Sequence, residues 1–219
     1  MMRLIGPPVP QEESRLHRDL STATLVIGFI AMAGDFIVPA VLGKWYPNYS
    51  NIRKTISELG TEASPVRRQA SAWLIILGVL FICFGVAQAI QLNMRTLFHW
   101  LYVSGIVAFG VGAGIIAGLF PEDSQGKAET PTGKIHGICA GLGFILLILN
   151  PLWALGIDEF NGLEWVNAGF FAMGVVTFTV FLASEKRTDG VLGWSGLWQR
   201  LTLLMVYSPL LLNHIAMKV

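Results

Sequence analysis

Long apolar runs separated by short polar intervals dominate the chain, and the runs predict six membrane-spanning helices: residues 20–43, 69–92, 97–120, 133–156, 163–184 and 195–217. Each run meets the length of about 20 residues that a helix needs to cross the hydrocarbon layer. Two have polar intrusions, with Arg200 inside the start of the sixth and Asn150-Pro151 interrupting the fourth. The expected fold is therefore all-α, a polytopic helical bundle spanning residues 20–217 behind a short polar tail at residues 1–19. The tail contains Gly6-Pro7-Pro8-Val9-Pro10 and is expected to lack structure. The first run follows about twenty mostly polar residues and is longer than the apolar core of a signal peptide, so it is expected to be retained.

Composition agrees with this pattern. Hydrophobic residues make up 53% of the chain and charged ones 13%, with a mean hydropathy of +0.60, too little charge to clothe six helices in water. The net charge of +1 leaves no basic face for nucleic acid. Cys83 and Cys139 fall within predicted spans, where a thiol behaves as a small apolar side chain. The expected surroundings are membrane lipids, and the expected location is the cell membrane.

Six spans put both termini on one face, with the loops around Arg95 and Asp158. The opposite, long-loop face holds residues 44–68, 121–132 and 185–194. Lys44, Arg53, Lys54, Arg67, Arg68, Lys127, Lys134, Lys186, Arg187 and Arg200 belong to it, against Arg3, Arg15, Arg18, Arg95 and Lys218 on the terminal face. The positive-inside rule then favours cytoplasmic long loops, while Arg15 and Arg18 before the first span argue the reverse.

Gly110, Gly114 and Gly118 form a row on one face of the third span, and Gly137 with Gly141 repeats the spacing in the fourth. Such rows let helix backbones approach closely. Packing within one chain and a homo-oligomer seam both follow from that geometry.

The loop after the first span reads Lys44-Trp45-Tyr46-Pro47, then Thr55-Ile56-Ser57-Glu58-Leu59-Gly60; the third span closes with Gly118-Leu119-Phe120-Pro121-Glu122-Asp123, and Gly133-Lys134-Ile135-His136-Gly137 opens the fourth. These elements, in this order and at these places relative to the spans, resemble the bacterial and archaeal membrane family called domain of unknown function 998. The resemblance runs from about Leu20 to the last span and implies a compact multi-span helical protein. It implies no reaction. The first loop departs from the Tyr-Asp-Pro-like start usual in the family, since Tyr46-Pro47-Asn48-Tyr49 lacks the acid.

Glu58, Glu122, Asp123 and His136 all fall at the long-loop face. Carboxylates and an imidazole gathered there can share a proton, activate a water or hold a divalent metal. Glu58, Asp123 and His136 are the candidate catalytic groups; no metal set is assigned. Each also has a structural reading: Thr55-Ile56-Ser57-Glu58 matches a capping box, Glu122-Asp123 a solvated turn, and His136 an anchor for a loop carbonyl.

Asp35 lies inside the first span, where a carboxylate costs about 2.5–3.5 kcal/mol at the helix centre and demands a partner or a wet cavity. Asp35, Tyr46 and Ser57 are the candidate substrate-binding residues. His99 and His214 form the one histidine pair placed for a bis-imidazole haem on the terminal face, against the reading that they are polar interface anchors beside Trp100 and Tyr102. Cofactors are otherwise unspecified, and HExxH, GxSxG, Walker and paired CxxC motifs are absent. Two function classes remain: a protein that binds, senses or moves a lipid or small molecule through a long-loop pocket, and a membrane-embedded hydrolase or transferase acting on a lipid or lipid-linked substrate.

Overall fold

The computed structural model describes residues 11–124, 129–185, 187 and 190–217. Arg3, Lys127, Lys186, Lys218 and the proline-rich start lie outside the described residues. Six long helices form an all-α bundle: α1 (Gln11–Leu42), α2 (Arg67–Leu92), α3 (Leu97–Leu119), α4 (Pro131–Ala154), α5 (Glu164–Ser184) and α6 (Ser195–Ala216). Helix α1 begins nearer the N-terminus than expected, because helical geometry continues through the polar residues ahead of the first span.

Helices α1 to α5 are each long and apolar enough to cross a membrane. Helix α6 falls short in apolarity, not in length, because its 22 residues include Gln199, Arg200, Asn213 and His214. Outward-facing side chains are apolar all round the bundle: Phe29 and Ile30 on α1, Val79 and Ile90 on α2, Ile138 and Leu142 on α4, Val176 and Leu182 on α5. A contiguous apolar exterior of this kind is the surface that lipid covers.

Inside the bundle Phe81, Phe84, Tyr102, Phe109, Phe144 and Tyr207 form an aromatic core with Leu77, Ile106, Leu147 and Leu210. Phe81 and Phe109 meet edge to face at 4.8 Å between ring centres. The glycine row of α3 is spent on this packing. A side chain at Gly114 would strike the backbone of Gly78 on α2, and one at Gly118 would meet Ser71 and Ile75 there. At that close approach α3 widens into a π-helical segment, Gly110–Ile116. Gly137 and Gly141 of α4 differ, with open space where a Cβ would sit.

Asn150-Pro151 leaves α4 unbroken. Asn150 donates to the carbonyl of Tyr102 at 3.0 Å, and Pro151 is carried in the last turn of the helix, which ends at Ala154.

The first long loop is stitched to the start of α6 by Arg200. Its guanidinium donates to the carbonyls of Asn51 (2.7 Å), Lys54 (3.2 Å) and Gly196 (2.9 Å), to the Asn51 side-chain oxygen (2.9 Å) and to the Tyr49 hydroxyl (3.1 Å). A side chain at Gly196 would collide with the Lys54 carbonyl, so glycine permits the contact. This arginine, unexpected inside an apolar run, is placed where the loop turns its carbonyls inward.

Candidate functional site: linked cavities under the first loop

Three segments meet at the long-loop face: the turn Ser57–Gly60, the chain leaving α3 at Phe120, and the first turns of α4. His136 sits where the last two join. Its Nδ1 lies 3.2 Å from the Ala117 carbonyl oxygen and 2.9 Å from that of Phe120. Carbonyls only accept, so the neutral ring carries its proton on Nδ1 and Nε2 keeps a lone pair. The side chain is buried, and Nε2 has no hydrogen-bond partner among the described residues.

His136 lines a cavity of about 150 Å³ between α4 and α5. Ser57, Glu122, Glu185 and Gln199 supply its polar wall, whereas Gly137, Ala140, Gly141, Phe144, Phe178, Phe181 and Leu182 supply the apolar one. Phe144 and Phe178 stack at 5.8 Å. The open space beside Gly137 and Gly141 belongs to this wall.

Glu122 carries the most perturbed carboxyl group outside the spans. Its Oε2 is buried without a hydrogen-bond donor. Burial pushes its pKa up from 4.5 to about 8, and the carboxylates of Glu185, Glu58 and Asp123 push in the same direction. Glu185 is raised too, first by burial and then by Glu58. At neutral pH Glu122 is therefore mainly a carboxylic acid, a hydrogen-bond donor beside the imidazole acceptor of the same cavity.

Gln199 stands at the inner wall. Its Oε1 accepts from the Ile56 amide at 2.6 Å, which fixes the orientation of the side-chain amide and leaves Nε2 as a donor with no partner among the described residues. Ser57, Ala140, Phe144 and Gln199 also line a second chamber of about 30 Å³ reaching Asp35. There the carboxylate accepts from Tyr207 Oη at 2.9 Å and from Trp73 Nε1 at 3.3 Å. Gly34 leaves room for the Trp73 ring to pass and reach it. Asp35 thus has both the partners and the small chamber that its cost in a span demands.

The remaining sequence candidates divide. Glu58 closes a reciprocal cap with Thr55: its Oε1 accepts from the Thr55 amide and its own amide donates to Thr55 Oγ1, both at 3.2 Å. Its Oε2 pairs with Lys54 at 3.5 Å. Asp123 accepts from the amide and hydroxyl of Thr130, each at 2.7 Å, and Thr130 in turn caps α4 through the Gly133 amide. Both acids act on Glu122 through charge without lining the α4–α5 cavity. Tyr46 stacks on Tyr49 at 5.8 Å under the Lys54 ammonium and lines neither cavity. The structure therefore brings Asp35, Ser57 and His136 to linked cavities, with Glu122 beside them.

Gln199, Glu185, Trp73 and Tyr207 are the residues that sequence reasoning did not single out. Gln199, Leu203 and Tyr207 recur every four residues on one face of α6, and that polar-edged stripe inside an apolar run was the available signal.

On the terminal face His99 accepts the Thr96 amide at Nδ1 (3.2 Å) and meets Glu159 through Nε2 (3.2 Å). His214 Nδ1 lies 3.2 Å from Gln88 Oε1, and its Nε2 lies 2.9 Å from the Ser21 carbonyl. Both rings spend both nitrogens on the protein, which leaves no nitrogen on either for a haem iron. Among the described residues no group of three or more His, Cys, Asp and Glu side chains is arranged to hold a metal ion.

Compared with known proteins, residues 11–213 match the family model described as a protein of unknown function, DUF998. No curated protein and no solved structure matches the chain.

Proposed function

Taking as premise that the chain belongs to the DUF998 family, whose description assigns no activity, we propose that it binds an amphipathic molecule from the cell membrane in the cavity between α4 and α5. The observation that carries this reading is the division of the cavity wall. Hydrogen-bonding groups of Ser57, Glu122, His136, Glu185 and Gln199 line one part, and glycine and phenylalanine faces of two lipid-facing helices line the other. A ligand with a polar head and an apolar chain satisfies both walls, and the volume suits a headgroup with the chain lying along the bundle exterior. Asp35 terminates the polar path inward through Gln199 and Ser57, so occupancy of the cavity is positioned to influence the centre of the bundle.

Filling the cavity without disturbing the fold tests this. Gly141→Leu places a side chain where nothing lies within 4 Å of the added Cβ. Purified in nanodiscs made from host lipid, the variant is expected to keep its thermal stability and lose the co-purifying amphiphile that mass spectrometry finds with the unmodified protein. An unchanged set of bound molecules contradicts the proposal.

A second reading is supported by the presence of Ser57 and His136 Nε2 on one cavity wall: an acid–base site acting on a lipid ester, with Nε2 as base and Glu122 as acid. It requires Ser57→Ala and His136→Asn each to abolish turnover of a lipid ester that the unmodified protein cleaves. Binding alone requires no turnover.

A further inference from the structure

The α4–α5 cavity has an electrostatic character that narrows its ligand. Among the described residues three ionisable ones line it, Glu122, Glu185 and His136, and no lysine or arginine does. Phe144, Phe178 and Phe181 complete the wall, their rings linked in series at 5.8 Å and 6.1 Å. Two acceptors on its wall have no partner among the described residues, the buried Glu122 Oε2 and the Nε2 lone pair of a histidine only 4% exposed, while Gln199 Nε2 is a donor on the same wall.

We infer that the cavity receives the ammonium head of a long-chain amine, held between Glu122, Glu185 and His136 Nε2 and flanked by the three phenylalanine rings. This rests on the amphiphile-binding reading above and names the class of headgroup. An ammonium supplies three N–H donors, and Glu122 Oε2 and His136 Nε2 are both acceptors. Aromatic faces attract a cation most strongly when it is desolvated, as it is here. A phosphate head meets two acidic side chains and, among the described residues, no cation to pair with. An alcohol offers one donor and no charge.

The pH dependence follows from the groups around Glu122. Glu185 faces it from α5, Glu58 with its partner Lys54 from the first loop, Asp123 from its own loop and His136 from α4. Arg67 of α2 lies with Glu122 on the outer depression beside Glu62. The carboxylates dominate, and the empty cavity therefore holds a proton on Glu122 up to about pH 8. An arriving ammonium displaces that proton. Affinity then rises by up to about tenfold per pH unit between pH 6 and 8 and levels above.

Radiolabelled dodecylamine, titrated into protein held in phosphatidylcholine nanodiscs, tests the inference, with dodecanol and dodecyl phosphate as competitors. Saturable binding is expected, with dodecanol and the phosphate each at least about tenfold weaker than the amine as competitors. Glu122→Gln should weaken amine binding by about tenfold or more, the loss of one close charge pair, and flatten its pH profile. Glu185→Gln should weaken binding and move the rise to lower pH, because the Glu185 charge is one of those that raise Glu122. If dodecanol competes as well as the amine, or Glu122→Gln leaves affinity and profile unchanged, the amine assignment fails while the amphiphile reading stands. If no probe binds saturably, or Gly141→Leu leaves amine binding intact, both fail.

Discussion

The Nδ1 nitrogen of His136 lies 2.9 Å from the carbonyl oxygen of Phe120, the residue that follows the last turn of α3. One ring thereby does two things: it ties α4 to the end of α3 through its N–H, and it presents the opposite nitrogen as an acceptor. Asparagine can imitate the first role and not the second. His136→Asn is expected to remain folded and lose ligand binding, whereas His136→Leu strands two carbonyls and costs about 1–3 kcal/mol of stability. Thermal melts in detergent beside binding titrations separate the two roles; equal melting losses in both variants with binding retained would leave His136 as an anchor alone.

Glu122 predicts a pH signature in stability. Its pKa in the folded protein, about 8, lies above the usual 4.5, so the folded state holds the proton more tightly than the unfolded one. The stability contributed by that proton is complete below pH 4.5, declines as pH rises toward 8, and is gone above it. Glu122→Gln should melt at a higher temperature than the unmodified protein at pH 9 and show a shallower decline between pH 5 and 8. Glu185, raised in the same direction, leaves a residual slope in the variant. Identical pH profiles for the two proteins would show that Glu122 is not buried as described.

The π-helical segment of α3 packs Gly110 and Gly114 against α2, and Gly112 against α4, with no room to spare. Gly114→Leu forces a side chain into the backbone of Gly78 and is expected to abolish or sharply reduce folded yield. Gly137→Ala, on the open side of α4, should change yield and melting little. Similar behaviour of the two variants would mean that α2 and α3 do not approach as closely as this packing requires.

Topology tests the standing of α6, whose polar residues set it apart from the other five helices. Six crossings place both termini on one face, and reporter fusions at the two ends should agree. The excess of lysine and arginine on the long loops favours an outer location for both. Opposite locations would show that α6 lies along the bundle without crossing.

How much of this was legible in the sequence follows from where each signal resides. Bilayer thickness sets helix length, so α2 to α6 could be read to within two residues, with Gln69 expected and Arg67 found at the start of α2, whereas α1 begins at Gln11, nine residues before the expected Leu20. The Thr55–Glu58 cap is a local motif and was readable for the same reason. The need of Asp35 for partners was readable from its cost in lipid, but not their identity. Trp73 and Tyr207 reach it from 38 and 172 residues away through tertiary packing. Gln199 was hidden beside Arg200 in a run scored for apolarity, although its orientation is set by a loop amide 143 residues distant. Asp123 and Glu122 are neighbours with different surroundings: one bonded to Thr130, the other half-buried with a bare Oε2. No sequence pattern distinguishes them.

The central claim, that an amphipathic molecule enters between α4 and α5, is tested most directly by an experimental structure of the protein in nanodiscs formed from native membrane. The account predicts non-protein density between Gly141 and Phe178, elongated along the helices, with its polar end within hydrogen-bonding distance of Glu122 and of His136 Nε2. Density for ordered water alone in that cavity, or side chains closed over it, would contradict the account.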